Sequence, residues 1–229
     1  ETSHNILAKF DLREEYTNHQ NIIQERYIIC ASWKELGGRT LHSVSTYTPD
    51  DKAICQQLSK VLSTADTAIA HNGDNFDVRY LEGRMLHHGL PPLPPFTKVD
   101  TLKIARKRFR LNSNRLDYLG HYLGLGHKKP IGGDVWLRVL KGDKRAVREM
   151  VAYNKQDVLL LERVFQKLRP YTNQRLVRKD GCSHCGSYRT QLRGISITKS
   201  GAYQRIQCQE CGGWDLAGKR YEGYDRRPA

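Results

Sequence analysis

The spacing of apolar and polar positions changes several times along the 229 residues, and each change marks an element. Tyr27-Ile28-Ile29-Cys30-Ala31-Ser32-Trp33 is almost continuously apolar, the pattern of a strand covered on both faces. Gly37-Gly38 then predicts a hairpin turn into a second strand over 41–47. Pro49-Asp50-Asp51 opens a helix to about Ser63, with Ile54, Leu58, Val61 and Leu62 on its inner side. Thr67-Ala68-Ile69-Ala70 is a short buried strand that runs into His71-Asn72-Gly73-Asp74-Asn75-Phe76-Asp77. A helix follows from Val78 to about His88, with Tyr80, Leu81 and Met85 facing in. Beyond a proline-rich turn at 91–95, a strand over 97–100 leads to a basic helix over 101–109. Next come a helix over 116–123 and a Gly- and Lys-rich loop over 124–133. The last helix runs from about Asp143, a suitable N-cap, to Leu168, with Pro170 just past its end. Val147, Met150, Val151, Val158, Leu161 and Phe165 form its apolar stripe. Hairpin strands followed by strands alternating with helices predict an α/β domain with a mixed sheet.

The first 26 residues carry little pattern. Ile6-Leu7-Ala8-Lys9-Phe10-Asp11-Leu12 reads at first as a strand ending in an acid, with Glu14 and Glu15 behind it. Two acids sharing one face of a strand must sit at i and i+2. Position i+2 from Asp11 is Arg13, and Glu14 points the other way, so a paired-acid site fails there on geometry. The chain begins with Glu1 and not Met, so further residues are expected upstream.

Charge narrows the partners. The formal net charge is +14, which points to a polyanion, and without a long apolar run or a signal-peptide pattern nucleic acid is favoured over membrane. The cysteines divide into two kinds. Cys30 and Cys55 stand alone in apolar stretches and read as buried thiols, whereas Cys182, Cys185, Cys208 and Cys211 form two C-x-x-C pairs. That pattern fits a reducing, intracellular compartment better than a disulfide framework. After Pro170 the helical period disappears and glycines and short polar strands take over. The expected organisation is therefore a main domain over 1–170, a linker over 171–179, and a small module with a basic tail over 180–229.

Tyr153 and Asp157 are four residues apart on the last helix, so they project from one face. A tyrosine and an aspartate on a solvated face would share this spacing, and the upstream residues make the pair informative. Ile69-Ala70-His71-Asn72-Gly73, with Phe76-Asp77 and Tyr80-Leu81 behind it and Tyr153-x-x-x-Asp157 far downstream, resembles the DEDDy branch of the DnaQ-like exonucleases. The likeness covers roughly residues 1–168. It implies an RNase H-like fold, a mixed β-sheet flanked by helices, and removal of nucleotides from the 3′ end of nucleic acid. Glu1-Thr2-Ser3 is similar to the tail of that family's first motif, D-x-E-T, with the Asp two residues upstream of Glu1. Residues 27–33 then fall where the second strand belongs, and Ile6–Leu12 becomes an irregular connection.

The resemblance implies that Glu1, Asp77 and Asp157 hold two Mg²⁺ or Mn²⁺ ions, which suit all-oxygen ligation. It also implies that Tyr153 orients the attacking water. Asn72 and Phe76 would contact the terminal nucleotide, while His71 reads better as a packed histidine than as a base. Lys103, Arg106, Lys107, Arg108, Arg110 and Arg115, joined by Lys128 and Lys129, would track the phosphates of a single strand.

The two C-x-x-C-G pairs, about twenty residues apart, have the spacing of a closed tetrahedral Zn²⁺ site made by Cys182, Cys185, Cys208 and Cys211. A segment under 60 residues has too little core to fold without such help. His184, between Cys182 and Cys185, is not needed as a ligand. The segment resembles a zinc ribbon, with hairpin strands over 188–192 and 203–207. From Tyr171 onward 11 Lys/Arg face 5 Asp/Glu, and Tyr188, Arg189, Arg193, Tyr203, Arg205 and Trp214 interleave aromatic with basic residues. Arg189 and Arg205 are candidate substrate contacts. The expectation is a metal-dependent exonuclease acting on single-stranded nucleic acid, DNA favoured, whose ribbon helps hold the substrate. Two rivals stand beside it: a non-catalytic nucleic-acid-binding protein on the same fold, and a nuclease whose ribbon docks a replication or repair protein. An Asp two residues before Glu1 would favour the enzyme.

Overall fold

A computed structural model describes residues 1–7, 18–128, 130–172, 182, 187–198 and 201–220. Lys129, His184 and Cys185 lie outside them, as do Asp11, Glu14 and most of the expected linker. The chain divides into two compact units, Glu1–Phe165 and Gln166–Ala229.

In the first unit, two-stranded ladders alternate with helices. β3 (Cys30–Trp33) pairs antiparallel with β4 (His42–Ser45), Trp33 opposite His42, through a turn in which Gly37 takes φ 77°. The left-handed backbone explains the glycine there. α1 (Lys52–Ser63), β5 (Thr67–Ala70), α2 (Asp77–His87), β6 (Thr97–Asp100) and α3 (Thr101–Arg108) then succeed one another. β5 and β6 run parallel, with Ala70 opposite Asp100, so both strands deliver their C-terminal residues to one edge. α4 (Leu116–Tyr122), α5 (Val135–Leu140) and α6 (Lys144–Leu168) complete the unit. Asp143 starts α6 by accepting from the Arg145 amide at 2.7 Å.

Segment 27–31 is packed from two sides. Tyr27, Ile29 and Cys30 meet Val135, Val139, Ala146, Val147 and Met150 of α5 and α6. Ile28 meets Ile54, Cys55, Leu81 and Met85 of α1 and α2. This is the helix–sheet–helix layering that a continuously apolar strand requires. Burial pushes the thiols of Cys30 and Cys55 up, to about 11 and about 12.

The structure corrects three readings of the sequence. Ile6–Leu7 is not part of an irregular connection: it is β1, paired antiparallel with β2 (Ile22–Gln24). α5 occupies a stretch where the periodicity shows no helix. The buried line of α6 contains Ala146, Val147, Met150, Leu160, Val164, Phe165 and Leu168, whereas Val158 and Leu161 are only half-buried.

Asp51 is the polar anchor of this core. Its carboxylate is fully buried and accepts from the Ile28 amide (2.8 Å), from Arg84 Nε and Nη2 (2.8 Å each) and from His88 (2.6 Å). It thereby ties the start of α1 to the end of α2 and to Ile28, just ahead of β3. Burial alone would raise its pKa, but the hydrogen bonds from Arg84, His88 and Ile28 outweigh it and hold the carboxyl below its ordinary value. Asp51→Ala is expected to cost about 3–5 kcal/mol in a urea titration, because it strands a guanidinium in the interior. A carboxyl with a depressed folded pKa stabilises fully above its unfolded value of about 4, and this contribution is lost as pH falls through the folded pKa. The stability gap between wild type and variant should therefore narrow in acid.

Candidate functional site

β5 ends at Ala70, and the chain must turn sharply to begin α2 at Asp77. Asn72 takes φ 69°, a left-handed conformation that Asn adopts more readily than most residues. Its amide donates to Asp100 Oδ1 at 2.9 Å, and its carbonyl accepts from the amides of Asn75 (3.2 Å) and Phe76 (3.0 Å). A Cβ on the buried Gly73 would lie 2.3 Å from the Cβ of Ala70, so only glycine fits. The turn places Asp77 in the first turn of α2, where the helix end favours a carboxylate.

Tyr153 and Asp157 belong to the line of α6 that also carries the buried Met150, Leu160 and Val164. The stripe is apolar at both ends and polar in the middle, and a polar interruption of that kind calls for a use. Glu1 reaches the same region through backbone pairing: its carbonyl accepts from the Ile29 amide at 2.9 Å, and Thr2 bridges Ile28 antiparallel.

The charge of Glu1 reaches both Asp77 and Asp157, although the oxygens of the three acids do not all lie within 4.8 Å of one another. Asp77 and Asp157 both have raised pKa values, first through burial and further through Glu1. Asp77 itself is solvent-exposed at the start of α2. Burial, then Asp157, raises the Tyr153 phenol. Asp157 Oδ1 is buried with no hydrogen-bond partner among the described residues. Its Oδ2 accepts from Lys128 Nζ at 2.5 Å, and the same ammonium donates to Tyr153 Oη at 3.3 Å.

The other candidates are more dispersed. His71 Nδ1 is 2.9 Å from Thr101 Oγ1, and burial holds its pKa down, so the ring is packed and bonded. Phe76 is 42 % exposed and stacks on Tyr80. Arg106 and Arg108 lie exposed in the last turn of α3, Arg115 lies exposed at the cap of α4, and the charge of Arg106 reaches His71. Two neighbours of the site do not emerge from sequence reasoning in these positions. Asp100 is buried and caps α3 through the Leu102 amide, and its Oδ2 has no partner among the described residues. A V-D-T sequence at a strand–helix junction is the signal for that cap. Lys128 is read from sequence as a phosphate contact, and the structure pairs it with Asp157.

The sequence matches the RNase_H superfamily over residues 24–169, well over half of the chain. The chain belongs to the RNase H superfamily. No curated protein matches it significantly. Its RNase H superfamily span includes Asp77, Tyr153 and Asp157 and leaves out Glu1. Membership of the RNase H superfamily points to nucleic-acid processing.

In the second unit, β7 (Thr190–Thr198), β8 (Gly201–Cys208) and β9 (Trp214–Arg220) form an antiparallel sheet. The sulfurs of Cys182, Cys208 and Cys211 converge within 4.8 Å of one another, Cys182 Sγ and Cys211 Sγ being 3.6 Å apart. Two thiolates bound tetrahedrally at about 2.3 Å from zinc would be about 3.8 Å apart, so the triad fits that ion. The knuckle at Cys208 closes with the Gly212 amide donating to the Cys208 carbonyl at 3.0 Å, and Gly212 takes φ 70°. The purified protein should carry one equivalent of zinc by atomic emission. Cys208→Ser should lose it, together with the dispersed amide-proton signals of β7–β9, because so small a sheet depends on the metal. Full zinc retention by that variant would remove Cys208 from the ligand set.

Proposed function

We propose that this chain is a two-metal-ion exonuclease of the DEDDy type. It hydrolyses phosphodiester bonds from the 3′ end of single-stranded nucleic acid, with DNA favoured. The observation that carries this reading is Asp157 beside Tyr153 on one line of α6, with one buried carboxylate oxygen unpartnered among the described residues and with the charge of Glu1 reaching Asp157, Tyr153 and Asp77. Glu1, Asp77 and Asp157 are an all-oxygen donor set suited to Mg²⁺ or Mn²⁺. Divalent ions held there supply the positive charge that activates a water and stabilises the departing 3′ oxygen. The chain's own groups do the rest. Tyr153 orients the water through its hydroxyl, Phe76 offers an exposed ring for the terminal base, and Arg106, Arg108 and Arg115 follow the phosphates.

The second unit is assigned a holding role within proposed boundaries of 1–170, 171–179 and 180–229. Arg205 lies 4.1 Å above the Trp214 ring, and both belong to one face of the sheet, as the Gln207–Trp214 and Arg205–Leu216 pairings require. A guanidinium layered on an exposed indole is a surface on which bases stack. On the opposite face, Leu192, Ile195 and Ile197 are 59, 41 and 63 % exposed, and this apolar surface favours a second reading in which the ribbon docks a protein. The pairing of Lys128 with Asp157 likewise favours the non-catalytic alternative for the main domain.

Asp77→Ala and Asp157→Ala should each abolish hydrolysis and leave binding largely intact. Tyr153→Phe should slow turnover by roughly 10²- to 10³-fold with little change in KM, since only the water-orienting hydroxyl is lost. More than about a tenth of wild-type rate in either aspartate variant would overturn the assignment, whereas binding without hydrolysis by the wild type itself would favour the non-catalytic reading.

Truncation after Pro170 should weaken binding to long oligonucleotides and make its salt dependence shallower, by about 0.7 in log–log slope per lost phosphate contact on single strands. An unchanged slope would leave the ribbon as a protein-docking element.

A further inference from the structure

Lys128 is held in place from two directions. Its backbone amide donates to Asp117 Oδ1 at 2.7 Å, in the first turn of α4. α4 in turn lies hard against α6: a Cβ on the buried Gly120 would come within 2.8 Å of Leu160 Cδ1 and 2.7 Å of the Gly126 carbonyl. The loop that carries Lys128 is thus fixed to the helix that carries Tyr153 and Asp157. From this anchorage the Lys128 ammonium stands 2.5 Å from Asp157 Oδ2, 3.3 Å from Tyr153 Oη and 5.2 Å over the Tyr153 ring. The ion pair is largely shielded, with side chains 27 and 15 % exposed.

We infer that Lys128 is a positioning residue, an internal counter-ion that keeps Tyr153 and Asp157 assembled without metal and releases Asp157 when a divalent cation binds. This deepens the two-metal reading and rests on it. An acid beside other acids in a desolvated cleft needs compensating charge to stay in place. Lys128 supplies one positive charge to Asp157 Oδ2, and Asp157 Oδ1 remains unpartnered among the described residues. A divalent ion taken up by this carboxylate brings a second positive centre within a few ångströms of the ammonium. Like charges at that separation repel, so the longer and more flexible partner gives way. Lys128 then stays tethered by its backbone amide on Asp117, and its ammonium is freed for the incoming phosphate. The exchange makes cation uptake competitive: a monovalent ion brings too little charge to displace the lysine, and a divalent ion does so at the expense of affinity.

The test is Mn²⁺ binding to the full chain, followed by the paramagnetic signal of free Mn²⁺, for wild type, Lys128→Met and Lys128→Arg. Met keeps the apolar stem and removes the competitor, so Lys128→Met should bind Mn²⁺ roughly tenfold more tightly, the size expected for losing one ion pair of intermediate burial. Lys128→Arg should stay within about twofold of wild type, since it keeps the charge. Without metal, Lys128→Met should melt below wild type, and saturating Mn²⁺ should close the gap. Lys128→Gln provides a second neutral variant should the methionine protein fold poorly. Equal or weaker Mn²⁺ binding by the neutral variants would overturn the inference and leave the two-metal reading standing. Absence of Mn²⁺ binding by every protein, wild type included, would overturn both.

Discussion

A buried carboxylate beside a second acid is the constraint on which the proposed site depends: Asp157 keeps one oxygen unpartnered among the described residues, and the charge of Glu1 reaches it. Two carboxylates about 5 Å apart at an effective dielectric near 20 repel by roughly 3 kcal/mol. That exceeds what a surface ion pair returns and is a sizeable share of an ordinary domain's net stability of about 5–15 kcal/mol. The fold meets this cost with rigidity. Asp77 is delivered by a turn that only Gly73 can make, Tyr153 and Asp157 by the middle of a 25-residue helix, and Glu1 by backbone pairing with Ile29 just ahead of β3. Away from the site, Asp51 binds α1, α2 and residue 28 into one core.

Much of that frame is legible in the sequence because it depends on local chemistry. The strands at 67–70 and 97–100 and the helices that follow them agree with the structure to within a residue or two, since short apolar runs there are bounded by Asn, Gly and Pro. α5 is not legible: Val135-Trp136-Leu137-Arg138-Val139-Leu140 spans less than two turns and is nearly all apolar, so no period can develop. β1 depends on a partner fifteen or more residues away, which no local pattern encodes. The stripe of α6 is displaced for a related reason. Tyr153 and Asp157 occupy its inner line, so an apolar count alone drifts toward Val158 and Leu161 and away from Leu160 and Val164.

The candidate site divides in the same way. Asn72, Gly73, Phe76 and Asp77 form a contiguous motif, and the four-residue step from Tyr153 to Asp157 is a helical spacing, so both stand out in one dimension. Lys128 and Asp100 reach the site only through tertiary structure, 29 residues before Asp157 in one case and across a parallel strand pair in the other. The cysteines are the opposite extreme. Their spacing alone announces a metal, and Cys182, Cys208 and Cys211 do converge. In a unit whose sheet leaves Leu192, Ile195, Ile197 and Trp214 exposed, a thiolate cluster is a better source of stability than apolar burial.

On the proposed reading, Glu1, Asp77 and Asp157 hold divalent cations for phosphodiester hydrolysis from a 3′ end. A time course on 5′-end-labelled single-stranded DNA and RNA, with the full-length protein in Mg²⁺, Mn²⁺ or EDTA, tests it most directly. The labelled strand should shorten as a ladder from the 3′ end in either metal and stay intact in EDTA. Degradation that continues undiminished in EDTA, or an intact substrate in both metals, would contradict it.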